Sequence, residues 1–358
     1  MLYQLLEPYA QDVSLLNVFR YITMRTALAT LTALLISLVL GPSVIGMLRR
    51  FQIGQSIREE GPKSHAKKEG TPTMGGVLIL VSILVPTLLW MDLGNRFVWV
   101  VLLSTVLSGG IGFLDDYRKV ARKKNLGLTA RGKLALQIVA AAVTGFLLTR
   151  LPFATTLQVP FFKSFSPDLS YLFIPFVVTV IVSSSNSVNL TDGLDGLAIG
   201  AVLVTSATYS VLTYACGHKD AARYLGIFHN PQAGEVTVFC GAMVGASLGF
   251  LWFNCYPAKV FMGDVGSLAL GSAIGTVAVV IKEEILLFVV GGLFVIEALS
   301  VVLQVAYFKA TGGKRIFKMS PIHHHFELSG WPEPRIIVRF WIAAVVFALL
   351  GLSSLKLR

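Results

Sequence analysis

Five groups of polar residues stand out from an otherwise strongly apolar chain, and each is of a type that handles phosphate or a divalent cation. Asp115 and Asp116 are adjacent and lead directly into Tyr117-Arg118-Lys119. Neighbouring residues on a helix point about 100° apart, so one carboxylate can hold magnesium while the other orients or deprotonates an acceptor. A pair of solvated carboxylates offsetting the basic stretch is the plain alternative. Asp192 and Asp195 are three apart in NSVNLTDGLDGLA (186–198), on one face if that stretch is helical. Asn186 and Asn189 add amides there, and Gly193 and Gly196 let a ligand approach the backbone. A turn capping the next helix would use the same residue types.

Asp264 stands in FMGDVGS (261–267), at the start of an apolar run. It suits a helix cap, and also a magnesium ion bridging two phosphates beside a helix N-terminus. Asn254 and Phe261, just before it, offer an amide and an aromatic face of the kind that read a base. Lys67 and Lys68 precede GTPTMGG (70–76), which carries Thr73. Three consecutive imidazoles, His323, His324 and His325, cannot all face one metal, and no cysteine accompanies them at ligand spacing. They make better sense as donors to phosphate oxygens than as zinc ligands. Glu297 lies in the middle of an apolar run, where an ionised carboxylate needs a partner; it is expected to face the interior near Gln304, without a catalytic role. No GxxxxGK[ST] loop or GxGxxG fingerprint is present, so any nucleotide must be held by these groups. Together they point to magnesium-assisted phosphoryl transfer.

The elements that position these residues follow from composition. The chain has 358 residues, 54% hydrophobic and 14% charged, with mean hydropathy +0.72. A soluble domain carries about a quarter charged residues, so the soluble and disordered classes are excluded. At about 20 apolar residues per crossing, the chain has room for about ten transmembrane helices and little else. Long apolar runs fall at 22–46, 74–91, 97–114, 134–149, 171–190, 197–215, 236–253, 265–281, 285–308 and 336–355. Continuous runs of this length predict helices rather than barrel strands. The expected fold is therefore an all-α integral membrane protein, a single polytopic domain over 1–358. Residues 1–21 have acids before their first cation, unlike a signal peptide, and are read as a retained interfacial segment. Three cysteines without a CxxC pair give neither a disulfide framework nor a zinc site.

Net charge is +11, and about two thirds of the Lys and Arg fall in the loops after the odd-numbered runs. The positive-inside rule places those loops in the cytoplasm and both termini in the periplasm. Every dense polar motif then lies at the cytoplasmic face, which the excess positive charge suits for drawing in anionic substrates. Nucleic acid is not an expected partner. A transporter or flippase, the alternative from another class, would place ionisable groups near the bilayer midplane, often in two repeated halves. Here the acids cluster at helix ends and no repeat is evident.

GTPTMGG (70–76), GFLDDYRK (112–119), NSVNLTDGLDGLA (186–198), FLWFNCYPAKVFMGDVGSLALG (250–271) and SPIHHHFELSGWPE (320–333) closely resemble the phospho-N-acetylmuramoyl-pentapeptide transferase family. This family belongs to the polyprenyl-phosphate N-acetylhexosamine-1-phosphate transferase superfamily. The likeness runs over nearly the whole chain, with Ser187 where the family pattern has Ala. The PIHHHFE segment favours the muramoyl-pentapeptide branch over siblings that use another UDP-sugar. The resemblance implies a ten-helix homodimer in the bacterial inner membrane. It would join UDP-MurNAc-pentapeptide to undecaprenyl phosphate, giving lipid I and UMP, with Mg2+ as cofactor. It also implies that Asp115, Asp116 and Asp264 are catalytic and metal-binding, Asp115 being the base and Asp264 the magnesium ligand. Lys68, Thr73, Asn189, Asp192, Asp195, Asn254, Phe261, Gln304, His323, His324 and His325 would bind substrate, Phe261 stacking on uracil. Direct transfer and a route through a phospho-aspartate both remain open at this stage.

Overall fold

Apolar helices make up most of the computed structural model, which describes residues 1–10, 13–51, 70–121, 127–160, 162 and 165–355, with an irregular connection between Thr149 and Phe173 that carries one isolated bridge, Thr156 to Asp168. Its helices are α1 (Leu2–Leu6), α2 (Ile22–Arg50), α3 (Gly76–Trp90), α4 (Arg96–Ala121), α5 (Ala130–Thr149), α6 (Phe173–Thr191), α7 (Leu197–Gly217), α8 (Lys219–Leu225), α9 (Val236–Asn254), α10 (Gly263–Val280), α11 (Leu287–Val290), α12 (Gly292–Ala310), α13 (Ile322–Glu327) and α14 (Glu333–Ser354). Among the described residues, nine helical segments are long and apolar enough to cross a bilayer. The chain is thus an all-helical integral membrane protein.

Each of the ten expected runs forms a helix, with two departures. Helix α3 has 15 residues, about 22 Å at 1.5 Å per residue, short of a hydrocarbon core of about 30 Å. The backbone before it continues instead into a polar clasp: Gly75 N donates to Phe261 O (2.9 Å), Gly76 N to Met262 O (2.8 Å) and Phe261 N to Pro72 O (2.8 Å). The ninth run does not begin at 285. Helix α11 closes after four residues and α12 starts at Gly292, while Lys282, Glu283 and Glu284 before them are buried rather than looped out. The Lys282 ammonium lies 3.9 Å from the centre of the Phe153 ring, which gives the buried cation a partner.

Helix α10 is the centre of the bundle, packed against α4, α6, α3 and α7 and buried continuously from Val265 to Val280. Lipid is as apolar as a leucine core, so close backbone approach and interhelical hydrogen bonds must hold such a helix. Its Gly, Ala and Ser residues supply both. A Cβ at Gly271 would lie 2.6 Å from Ser184 O of α6. Ser104 of α4 bonds Ser272 (2.9 Å) and Thr276 (2.8 Å), while Ser184 and Ser185 donate to Gly271 O (2.7 Å) and Leu268 O (3.0 Å). Each such bond contributes about 0.6–2 kcal/mol. At one end of the bundle, Arg25 of α2 and Glu235 before α9 form a buried two-pronged pair (Nη2–Oε2 3.0 Å), and Glu235 also accepts Asp92 N (2.6 Å). The Met1 ammonium donates to Leu88 O (2.6 Å) at the same end. At the other end, the last turns of α4 and α6 meet the first turns of α5 and α10.

Candidate active site

That meeting point gathers the acids. Helix α4 carries Gly112 one turn before Asp115 and Asp116, and a Cβ there would lie 2.1 Å from Asp264 O. The missing side chain lets the start of α10 sit directly against α4. The three carboxylates Asp115, Asp116 and Asp264 consequently present oxygens within 4.8 Å of one another. Gly263 holds φ +71°, a left-handed turn that only glycine adopts readily, and a Cβ there would approach Asp116 Oδ2 to 2.5 Å. Asp116 Oδ2 accepts Val265 N (3.2 Å). It therefore caps α10 from the neighbouring helix, the task the sequence assigned to Asp264.

Asp264 is released from capping and turned toward cations. Its Oδ2 accepts Lys133 Nζ of α5 (2.7 Å) and Lys119 Nζ of α4 (3.1 Å), and its Oδ1 accepts Asn189 Nδ2 of α6 (2.8 Å). The same Asn189 amide donates to Ser267 Oγ (2.8 Å). Lys119, three and four residues beyond the acid pair on the helix, reaches Asp115 Oδ2 at 2.6 Å and Asp116 Oδ1 at 3.2 Å. Asp115 Oδ1 also accepts Leu128 N (2.7 Å). The carboxylates thus converge on one position already taken by an ammonium group. Three hard oxygen donors around a cation position are a donor set that fits a small divalent ion.

The expected pocket residues fall into two groups around this centre. Residues 192–196 form turns, so Asp192 and Asp195 do not share a helical face. Asp192 keeps some surface but is closely crowded by protein. Desolvation first, then the negative charges of Asp264, Asp116 and Asp195, push its carboxyl up to about 8. Asp195 and Asn254 are buried and clasp this turn to the loop before α10. Asp195 Oδ2 accepts Ala258 N (2.9 Å), Asn254 Oδ1 accepts Gly196 N (3.1 Å) and Asn254 Nδ2 donates to Val260 O (2.8 Å). The clasp leads into Phe261, whose backbone joins Pro72 next to Thr73. A Cβ at Gly263 would lie 3.1 Å from the Thr73 hydroxyl, so Thr73 borders the acid cluster.

The histidines form part of α13, beyond the 192–196 turn. His323 Nδ1 lies 3.0 Å from Glu297 Oε2, His324 Nδ1 lies 2.8 Å from Glu327 Oε2, and His325 Nδ1 accepts Lys318 N (3.1 Å). Glu297 is buried, as expected, but its partner is His323. Gln304 instead fixes the preceding loop, accepting Ile316 N (3.0 Å) and Phe317 N (2.9 Å) and donating to Phe317 O (3.1 Å). Lys67 and Lys68 lie outside the described residues. Lys119, Lys133 and Ser267 were missed as site residues. The spacing of Lys119 from the acid pair could have revealed it, whereas Lys133 carries no local signal.

The glycosyl transferase family 4 model matches residues 98–282, and the phospho-N-acetylmuramoyl-pentapeptide-transferase signature 1 matches residues 68–80. The chain is 59% identical to the phospho-N-acetylmuramoyl-pentapeptide-transferase of Koribacter versatilis, over 96% of this chain and 95% of that protein. It is 58% identical to the enzyme of that name from Desulfatibacillum aliphaticivorans, and 57% to that from Pelobacter propionicus, each over the whole of both chains. With this likeness running from end to end, the chain belongs to the phospho-N-acetylmuramoyl-pentapeptide-transferase family.

Proposed function

We propose that this protein transfers phospho-MurNAc-pentapeptide from UDP-MurNAc-pentapeptide to undecaprenyl phosphate, giving lipid I and UMP, the first membrane step of peptidoglycan synthesis. The observation that carries the chemistry is the cluster of Asp115, Asp116 and Asp264 around one cation position, flanked by Lys119 and Lys133. Two anionic substrates must meet, so their charge has to be neutralised at the reacting phosphorus. Asp264, with Asp115 and Asp116, would hold magnesium. When bound there the ion supplies Lewis-acid neutralisation of the diphosphate.

The protein's own groups divide the remaining work. Asp115 takes the proton from the lipid phosphate. The freed oxygen bonds to the β-phosphorus of the sugar nucleotide, and the bond from that phosphorus to the bridging oxygen breaks, its electron pair leaving with UMP. Lys119 and Lys133 balance the carboxylates before substrate arrives and face the diphosphate afterwards. Asn189 holds Asp264 in register. Phe261 stacks on uracil, Asp192 and Thr73 border the nucleoside-phosphate pocket, and Asp195 and Asn254 shape it. The site faces the cytoplasm of a bacterial inner membrane, and the protein works as a homodimer. Purified protein with both substrates and magnesium should release UMP, and replacing the MurNAc-pentapeptide nucleotide by UDP-N-acetylglucosamine should abolish release. Equal or faster turnover of the second nucleotide would assign the chain to a sibling activity.

A further inference from the structure

Asn186 offers an amide close to the site, yet both of its amide hydrogens are taken within the bundle. Its Nδ2 donates to Val182 O on the same helix (2.8 Å) and to Gln137 Oε1 of α5 (3.0 Å). Gln137 Nε2 faces Asn186 Oδ1 in return (3.5 Å). A carbonyl only accepts, so Val182 O fixes which edge of Asn186 is the NH2, and Gln137 must meet that edge with its oxygen. Gln137 is buried, so this is an interhelical polar bond of the kind that specifies helix packing in lipid. Deeper in the membrane α5 and α6 meet at Gly145, where a Cβ would lie 3.4 Å from Val177 Cβ, an apolar contact that lipid can match.

The pair stands one turn behind the acid cluster. Lys133 is four residues before Gln137 on α5, and Asn189 is three after Asn186 on α6, so each shares a helix face with its neighbour in the pair. Those two residues hold the two oxygens of Asp264, Lys133 Nζ on Oδ2 (2.7 Å) and Asn189 Nδ2 on Oδ1 (2.8 Å). Helix α5 packs against α4 and α6, so the aim of Lys133 at Asp264 of α10 follows from how α5 is seated on α6. We infer that Gln137 and Asn186 are positioning residues for the transfer reaction: their amide pair registers α5 against α6 and so keeps Lys133 and Asn189 on opposite oxygens of Asp264. The ammonium that faces the diphosphate and the amide that orients the carboxylate thereby stay aimed at one reacting phosphorus. The inference rests on the transferase reading above.

Gln137→Met tests it, since the thioether matches the side chain in length and cannot replace the amide. A displacement of about 1 Å costs up to about 100-fold in rate, so kcat for UMP release should fall by about 5- to 100-fold. Acylation of Lys133 by a water-soluble amine reagent, read by mass spectrometry, should rise at least about twofold relative to exposed Lys309, while fully buried Lys282 at the far end of the bundle stays unlabelled. A smaller change in either quantity would overturn the inference. If Lys282 is labelled, the fold itself has been lost, and the decision passes to Gln137→Asn and Asn186→Gln. Each alone breaks the span by one methylene, whereas together they restore it, so the double variant should turn over faster than either parent. A double variant no faster than its parents, folded or not, overturns the inference. If wild-type protein releases no UMP, the transferase reading itself fails, while Lys133 labelling is read without turnover. An active wild type with an unaffected Gln137→Met variant removes only the positioning role.

Discussion

Replacing Asp264 by Asn should lower turnover by about 30- to 1000-fold while the helical bundle remains folded. Asp264 Oδ2 lies 2.7 Å from Lys133 Nζ and 3.1 Å from Lys119 Nζ. With an effective dielectric of about 20, those separations correspond to gross attractions of about 6 and 5 kcal/mol. Desolvation removes most of this, and hydrogen bonds to charged groups retain about 1.5–3 kcal/mol. Lys119 is 36% exposed, so its share is further screened. A combined resting-state contribution of roughly 2–4 kcal/mol follows. When the lysines turn to the diphosphate, magnesium takes the same carboxylate oxygens, and a loss of similar size at the transition state gives the stated range, each 1.36 kcal/mol being tenfold in rate. An asparagine cannot repair the site by rotating. Its NH2 must face either the Asn189 amide or the two ammonium groups, and both are donors. The assay is steady-state UMP release over a magnesium titration, with a melting curve of the purified protein as the control for folding. Turnover within fivefold of wild type at the same magnesium requirement would refute the reasoning.

Three further changes probe the surroundings. Asn189→Ala removes both 2.8 Å bonds that hold Asp264 and Ser267, and should reduce kcat by about 10- to 100-fold without a comparable fall in melting temperature. Gly263→Ala forces a side chain onto φ +71° and toward Asp116 Oδ2, so it should destabilise by about 1–3 kcal/mol and impair activity; an unchanged melting curve would contradict the left-handed turn. Asp192 keeps its proton up to about 8 in the folded protein, whereas the unfolded chain loses it near 3.8. The folded state binds the extra proton between these values, so the stability from this group is lost as pH rises through that window. Melting curves of Asp192→Asn and wild type should therefore separate in favour of the variant from pH 5 to pH 8, and curves that stay parallel would contradict the raised value.

The sequence made the membrane class and the positions of the helices legible because long apolar runs have few other uses. Asp264 in FMGDVGS and the GFLDDYRK motif also advertised their chemistry. What it concealed was tertiary. The cap on α10 comes from Asp116, 149 positions from Val265, which receives it, so local cap rules assigned it to Asp264. Glu297 was correctly read as buried, yet its partner lies in α13, reached only after the chain loops back past Gln304. Lys133 looked like one more cation in a basic loop, and only the packing of α5 against α4 and α6 aims it at Asp264. The start of α12 was misplaced because buried Lys282, Glu283 and Glu284 are followed by apolar residues that continue the hydropathy signal across the break at Gly291.

The most direct test of the account is UMP release by purified wild-type protein given UDP-MurNAc-pentapeptide and undecaprenyl phosphate, with and without magnesium. With magnesium, UMP and lipid-linked phospho-MurNAc-pentapeptide should form in equimolar amounts, and the rate should fall by orders of magnitude once the ion is chelated. Absence of both products with the ion present, or turnover indifferent to chelation, would contradict it.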